Sequence, residues 1–288
     1  MDYQNPEHLT SVESLKESLD DPNLRVFDTS VILAPSGHGY DVKSGIDDYR
    51  NAHIPGAGFI DLAEAWADTS SSLRFTLPTP DALAEAIGAS GISADNRVVL
   101  YSSGHLMWAT RAWWLLHYAG HRNISVLNGN FTAWQTAGLP TNSGDEAYPQ
   151  AHFEAKPDPA RFADVTEVKK GMHGAVCTIN SLSRSLYEGT GDFYYQRRGH
   201  IPGSKLVYYD SLLENEYFLP AEALAEELEA QGTLSADRVI TYCGGGIAAT
   251  LDAFACLLCG QTEVAVYDGS MSEWVADENR PLTVGAEP

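Results

Sequence analysis

The sequence has no apolar run of about 18 residues or more, which removes a membrane-spanning helix from the readings open to it. Its opening stretch, MDYQNPEHLTSVESLKESLDD, has neither a basic segment nor an apolar core, so a secretory leader is not expected. Positive charge is scarce. Against 39 Asp plus Glu stand 18 Lys plus Arg, giving a formal net charge of −21. A field of that sign repels nucleic acid and anionic membranes, so neither is an expected partner. It admits a small anion only where a local positive site overrides it. Cysteine is scarce as well: Cys177, Cys243, Cys256 and Cys259 follow no disulfide framework and suit a reducing, cytoplasmic compartment. The Gly-Lys-Ser/Thr of a nucleotide-binding loop is missing.

What is present is a repeat. AHIPGA at Ala52–Ala57 returns as GHIPGS at Gly199–Ser204. PDALAEAIGASGISADNRVVLYS from Pro80 returns as PAEALAEELEAQGTLSADRVITYC from Pro220. AGHRNISVLNGNFTAW, ending at Trp134, returns as CGQTEVAVYDGSMSEW, ending at Trp274. The matches keep their order at a spacing of about 140 residues, the signature of a tandem duplication.

Each half alternates short apolar runs with amphipathic stretches. LRVFDTS and GAVCTINS read as buried strands, as do NRVVLYS, DRVITYC, ISVLNG and VAVYDG. Helices are expected over SVESLKESL, where Thr10 and Glu13 form an S/T-x-x-E cap, and over PDALAEAIGASG and PAEALAEELEAQG. Strands alternating with helices imply parallel pairing, so two α/β domains are expected, each a mostly parallel sheet flanked by helices. Residues 1–142 make the first domain and 161–288 the second. The polar, aperiodic stretch over 143–160 reads as the linker.

The chemistry concentrates at Cys243. It ends the strand DRVITY and is followed by Gly244, Gly245, Gly246, Ile247, Ala248 and Ala249, then by an apolar helix. Open α/β sheets bind ligands at the carboxyl ends of their strands. Glycines let several backbone N–H groups turn toward one point, and a helix N-terminus adds partial positive charge, which together favour a thiolate nucleophile. The usual fate of a free cysteine is as a small buried hydrophobe, but loop and helix together outweigh it here. A cysteine phosphatase would need C-x5-R, and the sixth residue after Cys243 is Ala249. Cys177, Cys256 and Cys259 sit in apolar surroundings that suit core packing. The matching site in the first half, LYSSGH, carries Ser102 and Ser103 in place of a thiol.

With its paired HIPG motifs, YCGGGIAA, TRAWWLLHYAGH and two G…W ends, the chain resembles the tandem-domain rhodaneses, the thiosulfate and 3-mercaptopyruvate sulfurtransferases. The resemblance spans nearly the whole length. It implies two rhodanese-like domains, the first inactive, with the site in the cleft between them. It also implies that Cys243 takes sulfur from a small anionic donor as a persulfide and passes it to a thiol or cyanide, with no metal or organic cofactor. A binding or persulfide-carrier module on the same scaffold is the competing reading.

The chain departs from the pattern around the donor. Thiosulfate-type loops carry basic side chains, and none lies between Cys243 and Ala249. Mercaptopyruvate-type loops resemble C-G-S/T-G-V-T, but Gly245 and Ala248 stand where hydroxyl residues are expected. The hydroxyl relay that the resemblance assigns to the first HIPG histidine, His53, is therefore incomplete. Asn180, Leu182 and Leu186 occupy the family's Asp and Arg positions. That leaves Arg74, Arg184, Arg197 and Arg198, with His53, as candidate donor-binding residues. Arg111 is expected in a structural ion pair.

Overall fold

A computed structural model describes residues 2–36, 39–172, 174, 176–191 and 196–288. The first half runs β1 (Leu9–Thr10), α1 (Val12–Ser18), β2 (Leu24–Asp28), β3 (Val31–Ser36), β4 (Gly39–Ser44) and α2 (Ile46–Asn51). It continues through β5 (Gly58–Phe59), α3 (Pro80–Ala89), β6 (Arg97–Tyr101), α4 (Met107–Tyr118), β7 (Ile124–Leu127) and α5 (Asn130–Thr136). The second half runs β8 (Phe162–Ala163), α6 (Val165–Gly171), β9 (Cys177–Asn180), α7 (Arg184–Glu188), β10 (Lys205–Leu206), β11 (Leu213–Glu214) and β12 (Tyr217–Phe218). It closes with α8 (Ala221–Glu229), β13 (Val239–Tyr242), α9 (Ala248–Leu258), β14 (Val264–Tyr267) and α10 (Ser270–Ala276). Ala175, within the stretch GAVCTINS, lies outside the described residues.

The two sheets are copies. The first has strand order β1-β7-β6-β2-β5 and the second β8-β14-β13-β9-β10, with every pairing parallel. Strands β6, β7, β13 and β14 are almost wholly apolar because helices cover both their faces. Helices α4 and α9 are buried all round, as their sequences, MWATRAWWLLHY and AATLDAFACLL, require. Each packs on its own sheet and against the other, and Trp113 meets Phe254 edge-on at 5.0 Å across that seam. The seam therefore joins the domains through their cores. A strap adds to it: Gln4 N–H and Asn5 Nδ2 donate to the carbonyls of Leu258 and Leu257 at 2.8 and 2.6 Å.

One expectation changes in detail. Helix α1 is capped by Ser11, whose Oγ accepts the Ser14 N–H at 3.2 Å, not by Thr10. Thr10 is drawn instead into the parallel pair with β7, and its hydroxyl lies 2.8 Å from Ser125 Oγ. The stretch after Asn142 is pinned to the first domain along its length. Ala151 and Lys156 N–H donate to Gly88 and Ala119 carbonyls, and Phe153 is buried in the core.

Candidate active site

Cys243 follows the last residue of β13 and is only 3% exposed. Its backbone N–H and that of Gly246 both donate to Ser270 Oγ at 3.1 Å. The Ser270 hydroxyl in turn donates to Tyr267 O at 2.7 Å. The carbonyls of Cys243 and Gly244 accept the N–H groups of Met271 and Ser272 at 3.0 Å, and Ser272 Oγ adds a bond to Gly244 O. The first turn of α10 thus holds the loop from behind, with the loop carbonyls drawn toward it.

This corrects the expected cradle at one position: the Gly246 N–H is spent on Ser270. Among the described residues, the N–H groups of Gly244, Gly245, Ile247, Ala248 and Ala249 find no protein acceptor. The last two belong to the first turn of α9, whose N-terminus has no side-chain cap. Orphan donors of this kind hold anions. Gly246 has φ +74°, and a Cβ there would come 2.6 Å from the Asp268 carbonyl oxygen, so the turn demands glycine. At Gly245 a Cβ would meet only the Arg74 carbonyl oxygen, 3.9 Å away.

The first domain closes over this loop. Arg111 on α4, with its side chain 1% exposed, donates to Asp268 at 2.7 Å and to Gly246 O at 3.2 Å. Its other nitrogen donates to Phe75 O at 2.6 Å. The second Asp268 oxygen accepts the Leu77 N–H at 2.7 Å. The expected ion pair of Arg111 is therefore present, and it fastens the loop to the opposite domain. Phe75, held at φ +59°, packs on Trp108 with ring centroids 5.4 Å apart.

The same scaffold without the thiol stands in the first domain. Ser102 N–H donates to Asn130 Oδ1 at 2.6 Å, matching Cys243 on Ser270. Asn130 and Ser270 share a left-handed backbone, at φ 61° and 47°. Phe218 N–H donates to Asn128 at 3.0 Å, as Leu77 donates to Asp268. The turn between β11 and β12 then lays the Glu216 carboxylate on this loop, accepting Leu106 N–H at 3.0 Å and Asn130 Nδ2 at 3.3 Å. Glu216 is the counterpart of Phe75: both have positive φ and lie two residues before the bonded N–H. The first-domain cradle already holds a carboxylate. Asp28, buried beneath Ser103, has its carboxyl raised by burial, opposed by hydrogen bonds from Ser30 and Ser103.

The candidate donor-binding residues are not brought together. His53 is fully buried in the first domain, where it stacks on Tyr49 at 4.2 Å and its Nδ1 meets Tyr49 O at 2.8 Å. His200 repeats that arrangement on Tyr187, stacked at 3.6 Å. The N–H groups of Ile54 and Ile201 likewise donate to Tyr101 and Tyr242. Both HIPG turns therefore brace a strand from the core, and His53, one of the candidate donor-binding residues, is buried there. Arg184 points to solvent and pairs with Glu188 at 3.3 Å. Arg197 donates to the Asp277 and Arg280 carbonyls, and Arg198 is an exposed neighbour. Of these, Arg74 brings its backbone carbonyl beside Gly245, while its Nη1 donates to Tyr40 O at 2.8 Å.

Fold and site define a tandem α/β protein in which one of two matching loops carries a cysteine. The Rhodanese-like domain pattern matches residues 11–137 and 183–277, and the chain belongs to that family. It is 32% identical to a probable 3-mercaptopyruvate sulfurtransferase of Pseudomonas aeruginosa, over 96% of this chain and 98% of that protein. Identity to the thiosulfate sulfurtransferase of Cricetulus griseus is 32%, covering 91% of this chain and 88% of that protein. The crystal structure of SseA from Escherichia coli, titled for the rhodanese fold and catalytic mechanism of 3-mercaptopyruvate sulfotransferases, superposes with a TM-score of 0.82. It is 28% identical and covers 91% of this chain and 98% of that one. The expected fold, two tandem rhodanese-like domains with parallel sheets flanked by helices, is the fold observed.

Proposed function

We propose that this protein is a sulfurtransferase working through a persulfide on Cys243. The thiolate attacks the thiol sulfur of 3-mercaptopyruvate or the outer sulfur of thiosulfate. The new S–S bond forms as the donor's C–S or S–S bond breaks, and the electron pair leaves with the donor remnant. A thiol or cyanide then attacks the outer sulfur and regenerates Cys243. One observation carries this reading: Cys243 opens a loop in which the backbone N–H groups of Gly244, Gly245, Ile247, Ala248 and Ala249 find no acceptor among the described residues. Preorganised donors of this kind stabilise an anionic sulfur as an oxyanion hole stabilises oxygen. Named sulfurtransferases among the relatives support it. The chemistry uses no metal or organic cofactor, since the transferred sulfur carries it.

The first domain, residues 1–142, serves as an inactive partner that closes the site, joined through 143–160 to the catalytic domain, 161–288. Arg74, whose backbone carbonyl lies beside Gly245, is the candidate to meet an anionic donor. Free cysteines fit a reducing cytoplasm. The charge of −21 argues against nucleic-acid or membrane partners. The test is thiocyanate formation from each donor and cyanide by purified protein. Turnover with either supports the enzyme. The carrier reading, favoured by the saturation of Arg111 and Arg197 with other partners, predicts no turnover but a persulfide on Cys243 after inorganic polysulfide.

A further inference from the structure

The hydroxyls around Cys243 have spent their protons on carbonyls: Ser270 on Tyr267, Ser272 on Gly244, Thr250 on Ile247 and Thr241 on Ala249. The loop itself supplies none. Yet breaking a C–S bond in a mercaptoketone expels an enolate, which needs a proton. The candidate to deliver it is Tyr209. The Ser181 N–H donates to Tyr242 O at 2.8 Å, and the Tyr209 N–H donates to Ser181 O at 3.0 Å. These bonds carry the sheet pattern of β10, β9 and β13 past the strand ends. They put the Tyr209 backbone two strand spacings, roughly 10 Å, from that of Cys243. The ring packs against the core cluster that contains Cys243. It is held edge-on by His105 at 5.0 Å and by Tyr208 at 5.1 Å. His105, from the first domain, is itself fixed by Asp210 at 3.2 Å.

Building on the sulfurtransferase reading, we infer that Tyr209 is a catalytic residue, whose phenol protonates the enolate expelled when Cys243 takes sulfur from a 3-mercapto-2-oxo acid. The Cys243–sulfur bond forms as the C–S bond breaks, and that electron pair leaves on the 2-oxo acid fragment as the enolate. Tyr209 gives its proton to the enolate, and the phenolate recovers one from the S–H of the new persulfide. No outside proton or electron is consumed. Burial, then Tyr208, Asp210 and the Cys243 charge, raise the phenol above its ordinary range, so it enters the step protonated. Thiosulfate expels sulfite, which needs no proton.

The test compares kcat/KM of wild type and Tyr209→Phe with 3-mercaptopyruvate and with thiosulfate, alongside sulfur loading of Cys243 by inorganic polysulfide. Phenylalanine keeps the ring and its packing. General acids contribute about a hundredfold or more. The expected result is therefore a roughly hundredfold loss with 3-mercaptopyruvate, with thiosulfate turnover and polysulfide loading changed less than about twofold. Equal losses with every donor, no loss, or a wild type that leaves 3-mercaptopyruvate intact while using thiosulfate would each overturn the assignment. Failure of wild-type Cys243 to accept sulfur from any donor overturns the underlying reading as well, which separates the two.

Discussion

The hydroxyls of Thr110 and Thr250 meet 2.9 Å apart in the buried seam between the domains, and the two residues are counterparts 140 positions apart in the duplicated sequence. Equivalent residues touch each other only on a two-fold relation. The halves therefore face one another, each reaching across to the other's loop: Arg111 to Gly246 and Leu77 to Asp268 beside it, Glu216 to the Ser102 loop. Duplication here supplies each loop with a cover from its own copy.

Ser270 is the residue that shapes the loop at the cysteine. Ser270→Ala strips the acceptor from two buried N–H groups, a cost of about 1–3 kcal/mol for each group left unpaired. We expect lowered melting temperature and at least about a tenfold loss of sulfur transfer, the fold-change that 1.4 kcal/mol produces. Ser270→Asn should restore most of both, because Asn130 fills the same place with the same left-handed backbone. Parallel melting curves and thiocyanate assays on the two variants check this.

The glycines differ from one another. Gly246→Ala forces a Cβ to within 2.6 Å of the Asp268 carbonyl oxygen at φ +74°, so this variant should be destabilised and lose activity. Gly245→Ser places its Cβ no closer than 3.9 Å to Arg74 O and should fold with melting within about 2 °C of wild type, as a substitution with room around it does. Thermal unfolding of the pair separates a steric requirement from mere flexibility.

Much of this was legible in sequence, and what was not has one cause. The duplication and the apolar strand runs reveal the layers, and a cysteine before three glycines reveals the loop, because each signal is local. Ser270 lies 27 positions from Cys243, and Arg111 lies 157 from Asp268, so neither partnership leaves a local pattern. Setting NGNF against DGSM does show where Asn130 and Ser270 coincide, which was the usable signal. His53 was ambiguous because an Ile-Pro-Gly turn reads alike whether its histidine faces a cleft or braces a core. Thr10 misled because a cap and a strand end both welcome a hydroxyl, and sheet pairing decided between them.

Glu216 latches the second domain onto the first. Glu216→Ala removes a carboxylate that accepts from Leu106 and Asn130, bonds worth about 1.5–3 kcal/mol in all when the acceptor is charged. A fall in melting temperature of about 3–8 °C is expected for a chain of this size, with persulfide formation on Cys243 retained. A variant as stable as wild type would show that the carboxylate contributes nothing to the seam.

The most direct measurement treats the purified protein with each sulfur donor, weighs it intact, and maps the added mass by peptide under non-reducing conditions. The account predicts one added sulfur atom, located on Cys243, released by cyanide and absent from the Cys243→Ser variant. Sulfur appearing on Cys177, Cys256 or Cys259 instead, or a Cys243→Ser variant that still transfers sulfur, would contradict it.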